Sequence, residues 1–222
     1  MDLPAGAGVN WQGIKDAGFG PVAADLFPDH SAPHGEERHR VDFNEPLPFA
    51  DERFAAVLCS EGIEHHPAQG QLIAEFSRVL KPGGNLLITT PNLLSLRARV
   101  SFLMTGHYNT KWGPLTEVSQ RWPSKDGTGY FIGHAHMIDA LELRFVLKQH
   151  GFSVLSATTA KYSASSVLLA PLLFIPVWLA AKRFLRRELS DDSEIRRDLN
   201  RLLLSPDMLF GKKLIMLARK VG

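Results

Sequence analysis

Between residues 54 and 90 the chain switches from one hydrophobic period to another and back, which restricts the fold more than any other feature. Phe54 to Ser60 is an apolar run of strand length, the pattern of a central parallel strand. Gln69 to Leu80 then places Leu72, Ile73, Phe76, Val79 and Leu80 at helical spacing. Lys81-Pro82-Gly83-Gly84 stops that helix, because proline cannot continue it and the glycines turn the chain. Asn85 to Thr90 is a second buried strand. Strands alternating with helices imply right-handed crossovers, so the expected fold is α/β, with a Rossmann-like doubly wound sheet.

Upstream, Asp2-Leu3-Pro4-Ala5-Gly6-Ala7-Gly8 reads as a small-residue turn. Val9 to Ala17 suits a short helix, ended by Gly18-Phe19-Gly20. Pro21 to Asp25 reads as a short buried strand with an acid at its end, and residues 28–40, rich in His and Pro, as loop. In such sheets ligands sit beyond the carboxyl ends of the strands. A glycine turn there lets backbone approach a ligand and aims a helix N-terminus at it. Asp25 stands 17 residues after Gly8 and can accept both hydroxyl protons of a ribose. A plain structural turn accounts for the same glycines.

Composition narrows the function class. One cysteine, Cys59, in 222 residues excludes an intrachain disulfide and a Cys-rich zinc site. A net charge of +2 argues against a dedicated nucleic-acid binder. The charge is uneven: from Lys182 onward 11 Lys/Arg face 6 Asp/Glu, against 14 and 17 in the rest. A basic tail after an apolar stretch is a membrane-surface pattern. The N-terminus carries no basic n-region and no apolar h-region, so no signal peptide is expected and a cytoplasmic location is, with contact to the membrane surface.

Five ordered motifs carry a family resemblance. They are the Asp2–Gly8 loop, the strand ending in Asp25, Asp42 before Leu47-Pro48-Phe49, the segment Phe54 to His65 with its Glu64-His65 turn, and Ser77-Arg78-Val79-Leu80-Lys81-Pro82-Gly83-Gly84. Together they resemble the class I S-adenosylmethionine-dependent methyltransferases, in the small-molecule branch that includes quinone-biosynthesis enzymes. The resemblance implies S-adenosylmethionine as cofactor. It implies Asp2, Gly6 and Gly8 around the methionine part, Asp25 on the ribose, Asp42 near the adenine amine with Phe43 flanking the ring, and Glu61 and His65 on the methyl-transfer side. Pro4 in place of the loop's first glycine, and Ala55 in place of an Asp, depart from the pattern. The family's first strand precedes the loop Asp, and here only Met1 does. The sheet is therefore expected to lack its central first strand, either with a gap between the strands near 22–25 and 54–60 or with those strands closed up, and the true start is expected upstream.

The activity so implied is transfer of a methyl group to a small or lipid-linked acceptor. His65 is the first candidate for a general base, since histidine titrates near neutrality, with His134 and His136 behind it. No carboxylate or cysteine spacing completes a zinc site with these histidines, so no metal is expected. A nicotinamide oxidoreductase needs a third glycine where Trp11 stands. A catalytically impaired methyltransferase fold serving as a membrane or partner scaffold remains the alternative.

In the second half, Trp112 and Trp122 bracket a Gly/Pro/Thr-rich stretch to Gly133 that reads as loop or substrate lid. Ile138 to Leu147 is helical, Gly151 ends it, and Phe152 to Ala157 is a strand. Lys212 to Lys220 reads as a last strand, which the resemblance inserts antiparallel in the sheet. One methyltransferase-like domain over residues 1–222 thus holds an apolar and basic helical insertion at 158–211. Tyr162 to Ala181 carries no charge, and Lys182-Arg183-Phe184-Leu185-Arg186-Arg187 follows. One or two helices are expected over Tyr162 to Arg187, kinked or broken at Pro171 and Pro176. Three readings stay open: an interfacial or re-entrant helix, a true span, and a soluble lid or dimer surface; in the soluble case Leu168, Leu172, Phe174 and Trp178 pack back onto the body.

Overall fold

The computed structural model describes residues 1–28, 37–108, 116, 121–122, 130–131, 133–189 and 192–222, and the statements below concern these. In chain order the elements are α1 (Trp11–Asp16), β1 (Ala23–Asp25), β2 (Arg38–Arg40), β3 (Phe54–Ser60), α2 (Gln69–Val79), β4 (Leu80–Pro91) and α3 (Leu96–Thr105). There follow β5 (Arg121–Trp122), β6 (Tyr130–Phe131), α4 (Ala140–Gln149), β7 (Phe152–Thr158), α5 (Ala164–Glu188), α6 (Ser193–Leu204), α7 (Pro206–Phe210) and β8 (Lys213–Lys220). The chain divides into two compact units: residues 1–90, 144–156 and 216–222, and residues 91–143 and 157–215.

The first unit holds most of an α/β sheet. β1 pairs with β2 and β3 with β4, both parallel, and the order continues β3-β4-β8-β7. β8 runs against its neighbours: its Lys220 end lies beside Leu80 and Gly151, and Lys212 beside Asn92 and Lys161. Burial alternates along β3, β4 and β8, with Val57, Cys59, Leu86, Ile88, Leu214 and Met216 inside. In α2, Leu72, Ile73, Phe76 and Val79 are buried.

The expected central gap is filled. Met1 to Leu3 lie between β1 and β3, with Asp2 bridging Ala23 on one side and Leu58 on the other. Leu58 N donates to Met1 O and Ala24 N to Asp2 O, each at 2.9 Å. Neither an open gap nor direct closure of β1 on β3 occurs, because a few residues of backbone suffice to satisfy groups that both neighbours would otherwise bury unpaired. β2 lies in the segment expected to be loop. It is a charged, partly exposed edge strand, Arg38-His39-Arg40, and so shows no apolar signal. The Lys81–Gly84 segment does not separate helix from strand. The helix ends at Val79, and the pairing jumps from Phe54↔Leu80 to Ala56↔Asn85, so these four residues bulge out within β4. Gly83 there holds φ +73°.

In the second unit α3 opens on Ser95, whose side chain accepts from Ala98 N, and closes on Gly106 in the left-handed conformation. α5 is one helix of 25 residues that runs through Pro171 and Pro176, the single-helix form of the expected one or two. Both prolines face outward, and α3, α6 and α7 pack along the helix and hold it. Leu168, Leu172, Phe174 and Trp178 are exposed in the single chain, against the expectation that they pack back onto the body. The α5–α6–α7 excursion leaves and returns at one place: Ser163 N donates to Phe210 O, and Tyr162 bridges Gly211. The buried Asn92 amide clamps the return by donating to Met208 O at 2.9 Å and Gly211 O at 3.0 Å. The Trp112–Gly133 stretch lies largely outside the described residues.

Candidate functional site

The loop after Asp2 is shaped by two left-handed residues, Gly6 at φ +52° and Gly8 at φ +70°, where a side chain would be strained. Ala5 N donates to Ala24 O at 3.0 Å and Gly6 N to Asp25 Oδ2 at 2.9 Å, which docks the loop on the end of β1. Ala5, Trp11 and Ala23 form a buried cluster beneath it. Asp25 also accepts from Phe27 N through Oδ1 at 2.9 Å. Two backbone donors fix its carboxylate, and each oxygen keeps a lone pair for a ligand hydroxyl.

Val41 N donates to Asp25 O at 2.9 Å, so the residues after β2 start beside the same strand end. Asp42 Oδ1 accepts from Asn44 N at 2.9 Å and Asn44 Nδ2 at 2.8 Å. The Phe43 ring meets the buried His66 edge-on, with centroids 5.9 Å apart. One chain of hydrogen bonds therefore links Gly6, Asp25 and the start of the Asp42–Phe43 segment.

Asp2 has the most unusual environment. It is fully buried, its Oδ2 receives only Asn10 Nδ2 at 3.4 Å, and its Oδ1 has no partner. Burial pushes its carboxyl up to about 6; the Asn10 hydrogen bond and the N-terminal ammonium pull the other way, and Asp25 adds to the rise. A buried carboxylate short of donors favours a ligand that brings an N–H or a cation.

At the end of β3, Glu61 sits at φ +52°, an uncommon conformation for a residue with a side chain. Thr89 holds it there: Glu61 N donates to Thr89 O at 2.9 Å, and Thr89 Oγ1 lies 3.3 Å from Glu61 Oε1. A Cβ on Gly62 would collide with the Pro4 ring and lie 3.2 Å from Cys59 Sγ. Gly62 thereby lets the Asp2–Gly8 loop close against the end of β3. Ile63–His65 follows as a short 3-10 turn, with His65 half-buried and Glu64 fully buried. His134 and His136 belong to the second unit.

Sequence reasoning did not find Asn10, Gly62 or Thr89, whose roles are contacts between different elements of the fold. Nor did it find why Arg78 follows Leu47-Pro48-Phe49 in the motif order. Arg78 donates to Leu47 O at 2.9 Å, Phe49 O at 2.7 Å, Asp51 at 2.8 Å and Glu75 at 2.7 Å, while Glu75 accepts from Leu47 N. The guanidinium thus pins the Leu47–Asp51 segment to α2.

Comparison with known proteins agrees with this architecture. A demethylmenaquinone methyltransferase of Renibacterium salmoninarum is 35% identical over 92 residues, covering 40% of this chain and 39% of that protein. The same-named protein of Clavibacter sepedonicus is 35% identical over 147 residues, covering 57% of this chain and 60% of that one. The chain therefore spans less than two thirds of the length of these curated relatives. The crystal structure of a SAM-dependent methyltransferase from Archaeoglobus fulgidus superposes with a TM-score of 0.59, over 99% of this chain and 84% of that chain, at 15% identity, a likeness of fold. The methyltransferase domain family matches residues 1–157, more than half of the sequence. On that match, joined to the glycine loop docked on Asp25, the chain belongs to the methyltransferase domain family.

Proposed function

We propose that the chain binds S-adenosylmethionine at the Asp2–Gly8 loop and transfers its methyl group to a small or lipid-linked acceptor. The observation that carries this reading is the buried Asp2 carboxylate, with Oδ1 lacking a partner, beside a glycine loop docked on Asp25. A sulfonium cofactor supplies an electrophilic methyl group and, at its other end, an ammonium that suits a carboxylate short of donors. In this reading Asp2 takes that ammonium, Asp25 takes the ribose hydroxyls, and Asp42 and Phe43 meet the adenine. Gly6 and Gly8 let the backbone come close. Glu61 and His65 line the transfer side, where His65 accepts a proton if the acceptor nucleophile is a hydroxyl. The protein's main contribution is orientation of two reactants for an in-line displacement. The two demethylmenaquinone methyltransferases among the relatives support a lipid-quinone acceptor. In this reading a cytoplasmic protein takes that acceptor up at the membrane surface.

A thermal-shift titration of the full chain tests the reading. S-adenosylmethionine and S-adenosylhomocysteine at a hundred times Kd should each raise Tm by about 5–10 °C, and neither methionine nor adenosine alone should match them. No shift with either ligand would favour the scaffold reading.

A further inference from the structure

α5 carries two faces of opposite character. Ser166, Ala181 and Leu185 on one side are buried in the second unit. On the other side Leu168, Leu172, Ile175 and Leu179 recur at helical spacing and are exposed by 81%, 74%, 65% and 55%. Lys182, Arg183 and Arg186 continue the same face, since 100° per residue brings them back to within about 60° of the Leu168 direction. No Asp or Glu occurs in the helix before Glu188. α3 packs on α5 and exposes Phe102, Leu103 and Met104 in its last turn.

We propose that this face docks in the plane of an anionic membrane, with the α5 leucines below the headgroups and the basic end among them. This builds on the lipid-linked acceptor reading by naming the surface that meets the bilayer, and it is measured without methyl transfer. Charge selects the occupant. A second copy would set Lys182, Arg183 and Arg186 into a contact whose own face offers no acid, whereas anionic headgroups supply the missing counter-charge. Topology selects the orientation. α5 is long and apolar enough to cross a membrane, but its partner α6 carries Glu194, Arg196, Arg197, Asp198 and Arg201 in 12 residues. The excursion must return beside Tyr162, at the Gly211 bridge. A spanning α5 would either drag the charged α6 through hydrocarbon or strand β8 on the far side. Lying in the interface avoids both.

Vesicle flotation of the full chain tests this. The protein should float with phosphatidylcholine–phosphatidylglycerol vesicles, less with phosphatidylcholine alone, and less as salt rises. The triple variant Lys182→Gln/Arg183→Gln/Arg186→Gln should partition on the order of a hundredfold more weakly. Leu168→Glu/Leu172→Glu should lose flotation while keeping its circular dichroism, since both side chains are exposed. With Glu188→Cys, a membrane-impermeant maleimide added outside should label vesicle-bound protein. Failure of the wild type to float would overturn the proposal, as would protection of that cysteine, which means a span. So would a dimer that dissociates in the leucine variant without either form floating. Any of these leaves S-adenosylmethionine binding by the first unit standing, and loss of that binding leaves flotation untouched.

Discussion

Replacing Asp2 by asparagine should move stability and ligand affinity in opposite directions. The wild-type carboxyl is buried with one oxygen lacking a partner, and burial raises it from 3.8 to about 6. That displacement makes the ionised form cost about 2–3 kcal/mol at neutral pH. Because the folded value is raised, the stability associated with the protonated group is present in acid and lost as pH rises through about 6. Asp2→Asn keeps the shape and an acceptor for Asn10 without the charge. The unliganded variant should therefore match wild type below about pH 4 and exceed it by up to about 3 kcal/mol above pH 7. Binding of S-adenosylmethionine should go the other way, weakening roughly 10- to 100-fold with loss of a charge-assisted contact. Wild-type affinity should also fall as pH drops below about 6, while the variant's stays flat. Urea unfolding between about pH 3.5 and pH 8, and titration calorimetry between about pH 5 and pH 8, read the two quantities. A variant less stable than wild type at neutral pH, or one that binds the cofactor unchanged, would refute the reasoning.

Three further substitutions test the neighbouring contacts. Glu61→Gly relieves a left-handed backbone at the end of β3; it should raise Tm by about 2–4 °C while reducing methyl transfer, read by scanning calorimetry and a methyl-transfer assay. Gly62→Ala drives a methyl into the Pro4 ring, so it should cost about 1–3 kcal/mol in urea unfolding and lower cofactor affinity by displacing the loop. Arg78→Met strips the segment Leu47–Asp51 of its main clamp, and should cost about 1–3 kcal/mol in the same assay.

What could be read from the residues was whatever leaves a periodic apolar trace. β3, α2, β7 and β8 do so, and their bounds fall close to the expected ones. β2 does not, because an edge strand of Arg-His-Arg buries little. α3 also escapes notice: only Leu96 and Ala98 are buried, while its bulkier Phe102, Leu103 and Met104 face out. Pro171 and Pro176 left the number of helices open, and the single α5 has α3, α6 and α7 packed along it. At the candidate site the order of glycines and acids was legible, since a loop and a strand end are local features. The Gly62–Pro4 approach, the Asn10–Asp2 contact and the Glu61–Thr89 clamp join residues far apart or on different elements, and no spacing announces them. Nor does the sequence announce that Met1 to Leu3 are enough to bridge two strands.

Titration calorimetry of S-adenosylhomocysteine into the wild-type chain and into Asp25→Ala tests the central claim most directly. The carboxylate of Asp25 docks the glycine loop through Gly6 N and is the group proposed to take the ribose hydroxyls. Binding to the wild type should saturate at one site per chain and be weakened by about 1–3 kcal/mol, roughly 10- to 100-fold, in the variant. No binding to the wild type, or equal affinity in a folded Asp25→Ala, would contradict it.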